Sequence, residues 1–255
     1  MIQLKSVREI DRMAEGGAIL AAARDLLEQS VRPGISTIEL DRIAEDFIRS
    51  KPGAKPSFKG LYGFPGSICT SINNEIVHGI PSKKRVLRDG DIVSIDIGVL
   101  FEGYHTDSAT TVGVGEIPEQ SARLLDATRR ALEAGVAAAR AGNHIGDIGA
   151  AVQGVVEAAG FSVVKDLVGH GIGESFHEEP QVPNFGKPQR GTRLVPGLTI
   201  AIEPMVNAGR ADTRTMPDKW TIVTVDGSRS AHFEHTVAIT ENGPRVLTAS
   251  AQPRP

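Results

Sequence analysis

The sequence contains very little cysteine: Cys69 is the only one among 255 residues. One cysteine cannot form an internal disulfide, and it excludes zinc and iron–sulfur sites that are built from several cysteines. Any metal ion must therefore be bound by histidines and carboxylates. Long hydrophobic runs are also missing, since no stretch approaches the roughly 18 apolar residues of a membrane span, and the start MIQLKSVREIDRM lacks the features of a signal peptide. We expect a cytoplasmic protein without a membrane partner.

The sequence also lacks a strong charge of either sign. Lysine and arginine together number 28 and aspartate and glutamate 31, which gives a formal net charge of −3 at pH 7. Without an excess of positive charge the chain has no field suited to general nucleic-acid binding. Hydrophobic residues at 40% and charged residues at 23% are typical of a folded globular protein. Disordered, collagenous and coiled-coil classes are excluded.

Hydrophobic periodicity and turn signals predict a repeated order of elements. The first series consists of helices over about 8–30 and 37–48, a turn-rich segment over 61–81, and a hairpin with strands over 92–98 and 104–114. The second series consists of helices over about 119–140 and 145–159, followed by strands. Gly34 and Gly142, which follow the first helix of each series, are 108 residues apart, and Gly90 and Gly197 are 107 apart. The near-constant offset indicates a duplication.

We therefore expect an α/β (α+β) fold with pseudo-two-fold symmetry around a central antiparallel sheet. Its halves would be helix-helix-strand-strand units over about 1–115 and 116–250. Neither half shows a linker of its own, so a single domain over 1–255 is expected. In this arrangement each half supplies one acidic strand to a shared centre.

Two aspartates of the first half are predicted to face each other. If Glu102 and Gly103 form a two-residue turn, Asp107 opposes Gly98 and shares a face of the hairpin with Asp96. Like charges this close are destabilising unless one is protonated or a cation lies between them. Taken alone, each aspartate is more simply explained as a solvated residue of a strand. The pair, however, favours a cation site.

The second half offers two more carboxylates and one imidazole. Glu203 lies in an apolar strand, where an acid needs a partner, and Glu234 follows in the segment AHFEHTV. His170 stands between glycines in GHGIG, which leave the imidazole uncovered. Four carboxylates and one histidine suit Mn, Fe, Co or Zn, and carboxylates can bridge two such ions. A dinuclear hydrolase is the hypothesis that these residues support.

Several segments taken together closely resemble the type I methionine aminopeptidases, in their short bacterial form, of the pita-bread metallopeptidase fold. They occur in family order over most of the chain: SINNEIVHGIP from residue 71, DGDIVSID from 89, HTDS from 105, GHGIG from 169, FHEEP from 176, IEP from 202 and FEHT from 233. The resemblance implies removal of the initiator methionine from nascent polypeptides when the second residue is small.

The resemblance also implies the roles of the site residues. The metal ligands would be Asp96, Asp107, His170, Glu203 and Glu234. Asp107 and Glu234 would bridge two divalent ions, drawn from Co, Mn, Fe, Zn and Ni, while Asp96 would chelate one of them. Glu203 would also act as general acid and base.

Two further histidines match positions that contact the substrate in the family. His177 would hydrogen-bond the scissile carbonyl oxygen, and His78 would contact the peptide nitrogen. By strand parity His105 and His232 are candidates to support the ligands, whereas His235 should face away.

The methionine pocket would be lined by four side chains: Cys69, Phe64, Phe176 and Trp220. The chain departs from the family at three positions, because Leu61 and Phe64 replace frequent tyrosines and His232 replaces a frequent glutamine. These departures bear on pocket polarity and metal preference more than on the reaction.

Two other functions remain open on the sequence. One is an Xaa-Pro aminopeptidase or prolidase of the same fold, and the other is a metal-free binding protein that has lost catalysis. Lys83-Lys84-Arg85 is either a ribosome-facing basic loop or, as the better explanation, a solvated run of charge. A monomer is expected.

Overall fold

The computed structural model describes residues 2–250 as a mixed fold of helices and short strands. Its helices are α1 Val7–Ser30, α2 Thr37–Arg49, α3 Glu119–Ala138 and α4 Ile145–Ala158, with a 3-10 turn at Leu61–Gly63. These bounds agree with the four predicted helices to within two residues.

The strands are short apart from one hairpin. In chain order they are β1 Ala54–Pro56, β2 Ile68–Ile72, β3 Glu75–Val77, β4 Ile92–Phe101, β5 Tyr104–Gly113, β6 Ser162–Val163, β7 Gly169–Gly171, β8 Glu178–Val182, β9 Thr199–Ile202, β10 Met205–Asn207, β11 Thr213–Thr215, β12 Ile222–Thr224, β13 Ser230–His232, β14 His235–Thr240 and β15 Gly243–Val246. All the strand pairs formed by these elements within the described residues are antiparallel.

The two halves of the chain enter their second helices in the same way. Gly34 and Gly142 both have positive φ, 90° and 95°, a backbone conformation that glycine adopts without a steric penalty. The amide of Gly34 donates to the carbonyl of Leu87 at 2.8 Å, and the amide of Gly142 donates to that of Leu194 at 2.9 Å. The repeat that the glycine spacing predicts therefore has matching hydrogen bonds in the fold.

The strands that carry the site belong to two sheets. In the first, β4 pairs with β5 on one side and with β1 and β2 on the other. The second has the order β15-β14-β9-β7-β8. The predicted central antiparallel sheet is therefore built as two sheets, and they meet where β5 lies against β14.

Each half buries its helices against one face of its sheet. Leu20 and Leu40 of the first two helices pack in one core with Ile95 and Ile97 of β4. Because side chains alternate across a strand, these isoleucines leave Asp96 on the opposite face. A second core joins α3 and α4 to β9 and β14. The acidic face of the first sheet therefore looks away from its helices.

Among the described residues, no helix combines the length and the apolar character needed to cross a membrane.

Candidate active site

The β4–β5 hairpin confirms the predicted register of the first two aspartates. Glu102 and Gly103 have positive φ values of 46° and 91°, which is the pattern of a type I′ turn. Gly98 pairs with Asp107, and Asp96 pairs with Ala109. Asp96 and Asp107 therefore lie diagonally adjacent on one face of the hairpin.

The two glutamates of the second half lie at a break between strands. The expectation that Glu203 lies in an apolar strand is wrong, because β9 stops at Ile202 and Glu203 precedes Pro204, which cannot donate a ladder hydrogen bond. Glu234 likewise lies between β13 and β14. Pairing has the same register on both sides of the break, so Glu203 and Glu234 face each other across it.

Hydrogen bonds across the seam between β5 and the second half bring the two acidic pairs together. The amide of Asp107 donates to Thr236 Oγ1 at 2.8 Å, and that hydroxyl donates to the carbonyl of Asp107 at 2.8 Å. Ser108 Oγ donates to the carbonyl of Glu234 at 2.7 Å, and the amide of Glu234 donates to the carbonyl of Ala109 at 3.0 Å. These hydrogen bonds fix the backbones of Asp107 and Glu234 relative to each other.

His170 completes a cluster of donor atoms on β7. Its Nδ1 donates to the carbonyl of Gly171 at 2.7 Å, which leaves Nε2 free to act as a ligand. Nε2 lies 3.8 Å from Glu203 Oε1. One donor atom each from Asp107, His170 and Glu234 lie within 4.8 Å of one another, a spacing that a metal ion can span. The glycine on either side of His170 has no room for a side chain, because a Cβ would lie 2.3 Å from a backbone oxygen.

The electrostatics of the cluster fit divalent cations. Burial raises the pKa of Asp96 to about 7, and burial together with mutual repulsion raises the pKa values of Asp107, Glu203 and Glu234 well above the usual range. Buried Oδ1 of Asp96 and Oε1 of Glu234 have no hydrogen-bond partner within the described part of the chain. Neighbouring carboxylates with unsatisfied oxygens are stable as anions only beside positive charge, so the residues present suit a metal centre.

The two predicted substrate histidines lie at the same cavity as the acidic cluster. His78 directly follows β3 and has a positive φ of 60°, a strained conformation of the kind that concentrates at functional sites. Burial and the nearby His177 lower the pKa of His78 to about 4, so its imidazole is neutral at pH 7. Burial also lowers the pKa of His177, whose ring lies 4.4 Å from that of His170 between centroids.

Tyr62 is a site residue that sequence reasoning missed. Its ring stacks on His177 at a centroid distance of 5.7 Å and an interplanar angle of 15°, and its hydroxyl lies 3.3 Å from Nδ1 of that histidine. Tyr62 is 72% exposed and has a positive φ of 50°. The family resemblance points to its neighbours Leu61 and Phe64 instead. The adjacent glycines at 60 and 63 were the available signal that this loop is unusual.

The three histidines assigned by strand parity separate in the structure. His232 lines the cavity, with Nε2 3.7 Å from Glu203 Oε2 and 3.9 Å from Glu234 Oε2. Burial lowers its pKa to about 3. His105 instead shares a hydrogen bond with Ser57 Oγ at 2.9 Å and contacts no carboxylate of the cluster. His235 shares one with Thr248 at 2.8 Å, as expected for a structural residue.

The acidic cluster lines a cavity of about 570 Å³. The four predicted pocket residues line it: Cys69, Phe64, Phe176 and Trp220. Phe64 packs edge-on against Trp220 at 5.1 Å between ring centroids, and Met205 adds a buried thioether. Burial raises the pKa of the Cys69 thiol well above its usual value, so this side chain is an apolar lining group rather than a nucleophile.

One of the three positive charges in the basic run at residues 83–85 is neutralised by an ion pair. Arg85 forms an ion pair with Glu75 and a 3.5 Å hydrogen bond to the carbonyl of Ile80. Lys83 and Lys84 are exposed. Two solvated lysines give little support to a dedicated binding surface.

The fold and the acidic, histidine-containing cavity define a metallopeptidase. The sequence model of Metallopeptidase family M24 matches residues 11–241, and the chain belongs to this family. Among curated relatives, the methionine aminopeptidase of Clostridium perfringens is 54% identical over 248 residues, which are 97% of this chain and 99% of that protein.

Solved structures agree with this assignment. A methionine aminopeptidase from Thermotoga maritima superposes with a TM-score of 0.96 at 42% identity, covering 98% of this chain and all of that one. An Xaa-Pro dipeptidase from Bacillus anthracis has a TM-score of 0.78 at 25% identity, and the chain spans only 63% of its length. The pita-bread fold is shared by both, but full-length similarity is to the aminopeptidase.

Proposed function

We propose that the protein hydrolyses the first peptide bond of polypeptides that begin with methionine, using two divalent metal ions. The observation that carries this proposal is that the cluster of Asp107, His170 and Glu234 lines the same cavity as a set of apolar and aromatic side chains. The 54% identity to a methionine aminopeptidase over nearly the full length of both chains supports the same conclusion.

Five residues would hold the ions: Asp96, Asp107, His170, Glu203 and Glu234. Asp107 and Glu234 lie at the seam between the halves, which suits a bridging role, while His170 and Glu203 would bind one ion and Asp96 the other. Carboxylates with one imidazole accept Mn, Fe, Co, Ni or Zn. When bound, such ions acidify water and polarise a carbonyl group.

Glu203 is the proposed general base and acid. It is the cluster carboxylate beside the interruption at Pro204, its side chain is 13% exposed, and it can take a proton from the attacking water and pass it to the leaving amine. In the metal-free protein, burial and the charge of Asp107 raise the pKa of Glu203.

His177 would bind the scissile carbonyl oxygen. In the tautomer in which Nδ1 accepts from the Tyr62 hydroxyl, Nε2 carries the proton and can donate to that oxygen. His78, neutral at pH 7, would contact the peptide nitrogen and orient the bond. The hydrogen bond from His177 would stabilise the negative charge that develops on the carbonyl oxygen.

The walls of the cavity set the substrate preference. A methionine side chain fits against Cys69, Phe64, Phe176 and Trp220, which offer the apolar, polarisable contacts that a thioether prefers. The second residue would lie beside the acidic cluster and the histidines, which favours small side chains. The proposed substrates are therefore the N-termini of nascent polypeptides. We further propose that the enzyme is monomeric and acts in the cytoplasm.

Cleavage of defined peptides tests the proposal. Protein stripped with a chelator and titrated with Mn, Co or Fe should bind two ions by calorimetry and cleave Met-Ala-Ser much faster than Met-Leu-Ser or Leu-Ala-Ser. N-acetylated Met-Ala-Ser should resist cleavage, because its amine is blocked. The metal-loaded Glu203→Gln variant controls for contaminating peptidases. Faster cleavage of Ala-Pro than of Met-Ala-Ser would favour the Xaa-Pro activity, and two bound ions without cleavage of any peptide would favour a binding protein.

A further inference from the structure

The segment before α1 reaches the loop that carries His177. The Lys5 side chain is 3% exposed and forms an ion pair with Glu178, whose side chain is 7% exposed. The amide of Lys5 donates to the carbonyl of Gly197 at 2.7 Å, which fixes the backbone from which the side chain extends. Glu178 directly follows His177 in the chain, so a buried cation from the start of the sequence lies one residue from a proposed substrate-binding histidine.

The loop itself, residues 173–178 and here called the His177 loop, makes few polar contacts with the rest of the described chain: Glu178 pairs with Gly171 through the β7–β8 ladder, and the Tyr62 hydroxyl lies 3.3 Å from Nδ1 of His177. Glu178 Oε1 accepts from the amide of Ser175 at 3.2 Å, and the carbonyl of Gly173 accepts from the amide of His105 at 2.7 Å. The first of these bonds is internal to the loop. Within the described part of the chain, the Lys5–Glu178 ion pair is the charged contact that ties the loop to the rest of the protein.

Gly173 shows that the structure makes space for this ion pair. A Cβ at Gly173 would lie 2.2 Å from Lys5 Cε, 2.6 Å from Lys5 Nζ and 2.7 Å from Glu178 Oε1. The first two glycines of GHGIG have a different reason, because a Cβ at either one would collide with a backbone oxygen. The third glycine of the motif is therefore explained by the passage of the Lys5 side chain.

We infer that Lys5 is a positioning residue for catalysis: by holding Glu178 it fixes the His177 loop so that the His177 imidazole and the Phe176 ring face the cavity. The inference rests on the proposed function, in which His177 binds the substrate carbonyl. Misplacement of a substrate-contacting group by about 1 Å can reduce a rate by about 100-fold, so the loss of this tether acts on turnover without any contact between Lys5 and the substrate.

Two variants remove the tether by different routes. Lys5→Met deletes the charge, and Gly173→Ala places a methyl group where the flexible end of Lys5 now lies, with no backbone atom within its closest contacts. Gly154→Ala is the matched control, because a Cβ there meets nothing within 4 Å. We expect Lys5→Met and Gly173→Ala to lower kcat on Met-Ala-Ser at least tenfold with two ions still bound, whereas Lys5→Arg and Gly154→Ala keep kcat within about threefold of wild type.

A double variant separates positioning from simple stabilisation. If Lys5 acts through His177, Lys5→Met should lower kcat no further in a His177→Ala background, whereas a general structural loss would add to it. The ¹⁵N signals of the His177 ring in chelator-treated protein give a readout without turnover, and they should shift in Lys5→Met and Gly173→Ala but not in Gly154→Ala. Unchanged ring signals, or additive losses in the double variant, would overturn the inference. Inability of the wild type to cleave Met-Ala-Ser would overturn the proposed function instead, and the ring signals would still test the tether.

Discussion

Asp96 should destabilise the metal-free protein at neutral pH. Its carboxylate is 9% exposed and lies diagonally across the hairpin from Asp107, and burial raises its pKa from 3.8 to about 7. A folded-state pKa above the unfolded-state value means that the folded protein holds a proton which the unfolded chain has released. The contribution of Asp96 to stability is therefore fully present below pH 3.8 and is lost as the pH rises through about 7.

The size of the effect follows from the two pKa values. The difference between 3.8 and about 7 corresponds to about 4 kcal/mol in the free energy of unfolding, of which about 2 to 3 kcal/mol is lost between pH 5 and pH 7.5. The buried histidines act in the opposite sense, because the lowered pKa values of His78 and His170 cost stability as the pH falls below 6.5. Their contribution is the same with and without the Asp96 carboxylate, so it cancels in a comparison of two proteins.

Urea denaturation of wild type and Asp96→Asn in the presence of a chelator measures this difference. We expect the variant to gain at least about 2 kcal/mol relative to wild type between pH 5 and pH 7.5, because the change also removes a charge that raises the pKa values of Asp107, Glu203 and Glu234. Adding a divalent ion should reverse the order, because wild type binds it more tightly and each ion at 100 times its Kd adds about 2.7 kcal/mol. Asp126→Asn, which removes an exposed carboxylate paired with Arg130 on α3, is the control and should change stability by less than about 0.5 kcal/mol at either pH. A difference between Asp96→Asn and wild type that does not depend on pH would refute the reasoning.

Three other outcomes are expected. Glu203→Gln should leave the fold intact and lower kcat at least about 100-fold with metal fully loaded, and near-wild-type turnover would remove Glu203 from the mechanism. Asp107→Ala and Glu234→Ala should each reduce the number of ions bound per protein by elemental analysis, since both lie at the seam, and unchanged metal content would contradict a bridging role. Tyr62→Phe should lower kcat several-fold with little change in KM, because it keeps the stacked ring and removes only the hydroxyl beside His177, whereas Tyr62→Ala should also raise KM; identical kinetics for the two variants would show that the hydroxyl has no role.

The first acidic pair could be predicted from the sequence because its geometry is local. Glu102-Gly103 fixes a two-residue turn, and the turn fixes the register of every residue along β4 and β5. The placement of Asp96 beside Asp107 then requires only that side chains alternate. The helices could be predicted for a similar reason, since their apolar stripes and stop signals are read within one segment.

The second acidic pair shows where such reasoning stops. Pro204 is visible in the sequence, and it ends β9 one residue earlier than expected, but nothing local shows that the opposite chain breaks at Phe233 and Glu234. Strand parity therefore treated His232 and His105 alike, although only His232 reaches the carboxylates. The contacts of Tyr62 with His177 and of Lys5 with Glu178 join residues more than 100 positions apart and follow from the tertiary fold alone.

The seam between β5 and the second half has a consequence for the order in which the enzyme becomes active during synthesis. Asp96 and Asp107 emerge from translation long before His170 and Glu203, and Glu234 precedes β14, which must pair with β9 to set the two glutamates opposite each other. A partly made chain therefore holds acidic residues but no assembled centre. The proposed centre cannot be complete before β14 has been made and lies against β9 and β5, so a shorter chain is not expected to carry out the reaction.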